Sequence, residues 1–153
     1  MSKTSYSEES VRLSKAVDIA IEAIQKFPPK GFAPEHVKHF VNSYSDFKNQ
    51  IENPEPGFDN TKSLKYLQND VFTFFQEGSG DAVNHFWEQI SDHELGYKRQ
   101  NKLTKILKRQ KIKSKQEYDF VTDVLVPYQK EGLIAENEAK ALNSMMADFT
   151  IMM

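Results

Sequence analysis

Apolar positions recur at helical spacing along most of the chain. Leu13, Ala16, Val17, Ala20, Ile24 and Phe27 fall on one side of a 3.6-residue helix, and Pro28-Pro29 stops it. A second stripe, Val37, Phe40, Val41, Tyr44 and Ile51, follows Pro34, which suits a first helical position. Asn53-Pro54-Glu55-Pro56-Gly57 reads as a loop. The third stripe, Leu64, Leu67, Val71, Phe74 and Phe75, opens at Asp59 or Asn60. Phe72 and Tyr66 lie off it and predict apolar contacts on more than one side. Gly78-Ser79-Gly80 breaks the pattern, and Asp81 is placed to cap a fourth helix carrying Ala82, Val83, Phe86, Trp87 and Ile90.

Three Ser/Glu pairs have the spacing of a capping box: Ser5/Glu8, Ser91/Glu94 and Ser114/Glu117. The first predicts the start of the first helix. The second predicts a fifth helix from Ser91 through Leu95, Leu103, Ile106 and Leu107 to Arg109. The third predicts a sixth, with Tyr118, Val121, Val124, Leu125 and Tyr128 on its face, after a connector at Lys111-Ile112-Lys113. Pro127 is expected to end or kink that helix near Val126. Gly132-Leu133-Ile134 reads as a turn, and a last helix holds Ala139, Leu142, Met145, Met146 and Phe149. No stretch of useful length is seen to alternate with period two, so no strands are expected. The fold class is all-α: one domain over residues 1–153, six to seven amphipathic helices, mostly an antiparallel bundle, with seams at 52–60 and 110–114.

Composition narrows the chemistry. The length of 153 residues suits one domain, and eleven Phe, six Tyr and one Trp suffice for a core. The absence of cysteine excludes disulfides, thiolate metal sites, iron–sulfur clusters and cysteine nucleophiles. The first residues contain no apolar signal region, and no run is long enough to span a membrane. Cytoplasmic residence without membrane contact is the expectation. Phe32 is either a pinned loop residue or an exposed anchor. Met145-Met146 is expected to fill the core, and Met152-Met153 to form a loose end.

The candidate metal ligands are His36, His39, His85 and His93. His36 and His39 stand three apart with Glu35 before them, whereas a zinc-protease helix needs two histidines four apart with the glutamate beside the first. His85 and Glu88 reverse the Glu-x-x-His order of di-iron bundles and are not repeated. No nucleophile elbow or phosphate-binding glycine loop occurs. The sequence therefore predicts no metal, no cofactor and no catalytic residue.

Charge changes the picture most. The net charge is −2, yet nine basic residues lie between Lys98 and Lys115 with no acid among them, leaving eleven basic and 22 acidic residues elsewhere. On a continuous helix Lys98, Lys102, Lys105 and Arg109, spaced four, three and four apart, would form one stripe. With Lys108 they are the candidate partner- or phosphate-binding residues. The alternative is a solvated face paired with acids of the same fold. The leading expectation is a non-catalytic protein–protein interaction domain of small bacterial immunity, antitoxin or adaptor type, meeting an acidic patch on its partner. Second comes a nucleic-acid-binding helical module using a basic helix at 98–115. Against it stand the acidic remainder and the lack of aromatics within the basic run, where only Tyr97 adjoins. Third comes a helical metal-binding protein or enzyme.

Overall fold

The computed structural model describes residues 3–152, with side chains from Tyr6 onward. Its described residues form seven helices and no strand: α1 (Lys3–Lys26), α2 (Pro34–Glu52), α3 (Thr61–Glu77), α4 (Asp81–Asp92), α5 (Thr104–Arg109), α6 (Lys115–Lys130) and α7 (Glu136–Met152). The chain divides into two compact units, Met1–Lys98 and Arg99–Met153. Both expected seams fall inside a unit, 52–60 between α2 and α3 and 110–114 between α5 and α6. At the second of these, Ile112 is buried in the core of its unit, which ties the connector down.

In the first unit, α1 presents Leu13, Ala16, Val17, Ala20 and Ile24 as a fully buried stripe and packs against α2, α3 and α4. Consecutive helices run antiparallel, as their pairings show. Tyr44 and Phe40 of α2 meet Val71 and Phe74 of α3, while Phe72 and Phe75 of α3 meet Trp87 and Phe86 of α4. Two buried polar groups are satisfied by backbone carbonyls. The Tyr44 hydroxyl donates to Val71 O at 2.6 Å, and Trp87 Nε1 donates to Phe75 O at 2.9 Å. Burial pushes the Tyr44 hydroxyl pKa up, with Asp70 adding to the rise. Phe72 is buried, as its off-stripe position predicts, but Tyr66 is exposed. Phe32 is half-buried, with its ring near those of His36 and Phe74, so it is pinned.

In the second unit, α7 lies antiparallel to α6: Tyr118 stacks on Phe149, and the Thr122 hydroxyl contacts Met146 Sδ. Leu103, Ile106, Ile112, Val121, Val124, Tyr128 and Leu142 are the centre of its core. Met145 is buried and Met146 half-buried, as expected of core filler. Met152 is exposed, and Met153 lies outside the described residues.

Helix ends separate the three Ser/Glu pairs. Ser114 caps α6, its Oγ accepting from Glu117 N at 3.1 Å while Glu117 accepts from Lys113 N at 2.8 Å. The helix already runs at Lys3, which puts Ser5 inside α1 instead of at its cap. Ser91 and Glu94 stop a helix where the spacing predicts a start. Leu95 N donates to Ile90 O, and Glu94 N to Ser91 O, with Glu94 at φ +51°: a Schellman closure of α4. Ile90 and Leu95 are both buried, so the apolar residue after the turn favours this closure over helix continuation. Gly132 closes α6 in the same way at φ +77°. Asn60 caps α3, and Gly80, at φ +104°, precedes Asp81, the first helical residue of α4.

The fifth helix is thus shorter than expected. Residues 95–101 are irregular, and α5 has only six residues. Pro127 also does not end α6, which continues to Lys130. Val124 and Tyr128, on either side of the proline, are fully buried, which keeps this stretch packed on the core.

Two outcomes are expected in urea denaturation. Phe86→Ala, in the centre of the first core, lowers stability by about 3–5 kcal/mol. Glu94→Gly relieves the left-handed backbone and raises stability by about 1 kcal/mol; a loss would contradict the Schellman assignment.

Candidate interaction surface

The segment 95–103 alternates in burial: Leu95, Arg99 and Leu103 are buried, Tyr97 and Asn101 half-buried, and the residues between them exposed. Each inward side chain has an anchor in its own unit. In the first, Tyr97 packs on Phe72 with the Arg12 guanidinium over its ring, and Arg12 donates to Leu95 O. In the second, Arg99 Nη1 donates to Glu131 Oε2 at 3.0 Å, with the Arg99 side chain only 2% exposed. Its guanidinium lies over the Tyr128 ring, 4.9 Å from the centroid. The Tyr128 hydroxyl bridges Gln100 O and Lys102 N, and Asn101 Nδ2 donates to Leu133 O. Burial pushes the Tyr128 hydroxyl pKa up, opposed by the Lys102 N–H and Arg99 and aided by Glu131.

This arrangement overturns the helical stripe. Lys98 and Lys102 are exposed but lie outside any helix, so they cannot align with Lys105 and Arg109 at helical spacing. Lys98 belongs to the first unit, and Lys102, Lys105, Lys108 and Arg109 to the second. Arg109 is engaged: its Nη1 and Nη2 donate to Glu117 Oε1 and Oε2 at 2.9 and 3.0 Å. Lys115 pairs with Asp119 one turn along α6.

Five other cations of the basic run form a different set. Lys102, Lys105, Lys108, Lys111 and Lys113 are exposed and have no ion-pair partner among the described residues. They are turned outward because their neighbours Leu103, Ile106 and Ile112 are buried in one core. Lys111 and Lys113 are the members that sequence reasoning left in a connector. Their signal is the alternation Lys111-Ile112-Lys113, with an apolar residue between two cations.

The chain matches no family model, no curated protein and no solved structure.

The histidines do not converge. His36 Nδ1 accepts from Ala33 N at 2.9 Å, closing the start of α2. His85 Nε2 meets Glu22 Oε1 at 2.7 Å, with its ring against Phe27. His93 closes α4, and His39 is exposed. Among the described residues no three His, Cys, Asp or Glu side chains are grouped to hold a metal, and no helix is long and apolar enough to cross a membrane.

Hydrogen bonds from Arg109 hold the Glu117 carboxyl below the usual glutamate range, aided by the Lys113 N–H and opposed by partial burial. A depressed carboxyl contributes stability that is present above the unfolded-state pKa and is lost as pH falls through the folded one. Wild type should therefore exceed Glu117→Gln in urea midpoint at about pH 7, and the gap should close by about pH 3. A gap that persists in acid would contradict the pairing.

Proposed function

We propose that this chain is a non-catalytic, cytoplasmic protein–protein interaction protein, of the small immunity, antitoxin or adaptor kind. Its working surface is the lysine set of the second unit, and its partner presents an acidic patch. The observation that supports this reading most is the sorting of cations. Arg99, Arg109 and Lys115 are matched to Glu131, Glu117 and Asp119, whereas five neighbouring lysines are left facing solvent. Lys105 and Lys108 stand three apart on α5, where like charges repel and lower the stability of the helix. A surface kept at that cost is better explained by binding than by folding. Two of the four imidazoles, those of His36 and His85, have local structural partners. The cysteine-free sequence fits a reducing compartment.

Zero-length carbodiimide cross-linking in an extract of the native host tests the reading, because it joins lysines to carboxylates in contact. Links to a second protein should map to Lys102, Lys105, Lys108, Lys111 or Lys113. Links confined to other lysines, or photo-cross-links from this set to nucleic acid, would overturn it. In parallel, the triple variant Lys105→Gln, Lys108→Gln, Lys111→Gln should keep or raise its thermal midpoint, by about 1–3 °C. A lower midpoint would mean that the lysines serve the fold.

A further inference from the structure

The make-up of the lysine surface determines what sort of complex it can form. Resting on the proposed function, we infer that it makes a fast-dissociating complex with an exposed, carboxylate-rich protein segment, held by electrostatic steering and not by a packed interface.

Tight interfaces draw most of their energy from a few desolvated anchors, chiefly Trp, Tyr and Arg seated in pockets. Residues 100–115 present none of these to solvent. Leu103, Ile106 and Ile112 are buried, Leu107 is half-buried, and the exposed positions are lysine, glutamine and threonine. The one arginine there, Arg109, is forked onto Glu117, and Arg99 just before it is inside the fold. What faces solvent is therefore ammonium groups on flexible stems, which are strongly hydrated point charges. Such charges raise the rate of encounter and give salt sensitivity, while slow dissociation comes from buried contacts that this surface does not offer.

The same geometry favours carboxylates over phosphates. Two devices hold a phosphate in fixed orientation: a forked guanidinium and a free helix N-terminus. At Arg99, Arg109 and the start of α6 the protein's own carboxylates already occupy these groups. Glu131 takes Arg99, and Glu117 takes the Arg109 fork together with the Lys113 N–H at the start of α6. The lysines that remain offer charge without orientation. The first unit carries fifteen acidic against ten basic residues. That surplus opposes a long polyanion such as duplex nucleic acid more than a short acidic segment. Within the proposed function, a reversible adaptor-like role fits this surface better than a permanent inhibitor.

Stopped-flow fluorescence on the full chain tests this with two labelled probes: an Asp/Glu peptide of about twelve residues and a DNA duplex of about 20 base pairs. The peptide should bind about tenfold more weakly at about 200 mM than at about 50 mM NaCl, with the change in the association rate. Lys105→Gln, Lys108→Gln, Lys111→Gln together should cost about tenfold, and the exposed lysines elsewhere, Lys15→Gln, Lys30→Gln, Lys62→Gln, should cost nothing. Unchanged circular dichroism would establish that the variants are folded. Lysine-dependent binding that dissociates over minutes and ignores salt would overturn the inference and leave the proposed function standing. Duplex bound more tightly than peptide would overturn the carboxylate assignment. No binding of either probe would overturn both.

Discussion

The Arg99 guanidinium, drawn under the surface onto Glu131 and the Tyr128 ring, decides how the basic segment is organised. A guanidinium cannot shed its charge, so burying it requires a carboxylate beside it. Tyr128 supports that site twice, through its ring and through a hydroxyl that bridges the backbone at Gln100 and Lys102. With Arg99 facing inward and Asn101 tied to Leu133 O, the backbone between them takes an alternating course in place of a helical one. The lysines on either side are turned outward as a consequence.

That one choice separates two kinds of cation. Arginines serve the fold, where a forked donor can satisfy a half-buried carboxylate such as Glu117. Lysines are left at the surface, where a mobile, hydrated charge is least costly. The segment is as basic as its sequence says, but its chemistry as a surface is that of lysine alone. The near-neutral total of the chain therefore hides three populations: acids spread over the first unit, cations matched within the second, and cations facing solvent.

Most of the helical fold was legible because it follows from periodicity. The stripes of α1, α3 and α4 and the caps Asn60 and Ser114 all appear in the structure. The failures share a cause: tertiary anchors that a local pattern does not contain. Leu95-Gly96-Tyr97-Lys98-Arg99-Gln100-Asn101-Lys102-Leu103 does alternate with period two, but its inward positions at 99 and 101 are polar. Their partners, Glu131 and Leu133, lie some thirty residues on. A hydrophobic template therefore misses the pattern. Ser91/Glu94 has the spacing of a start signal, yet the buried Leu95 that follows makes it a stop. Of the candidate site, the lysines were legible and their alignment was not, since alignment required a helix that Arg99 and Asn101 prevent.

The central claim is that residues 95–103 are held out of helical conformation by inward anchors at alternate positions. Backbone NMR chemical shifts across this stretch measure it directly. The account predicts that helical Cα shifts end near Asp92 and resume at Thr104, with none sustained between. An unbroken run of helical shifts from Ser91 to Arg109 would restore the continuous basic stripe and contradict the account.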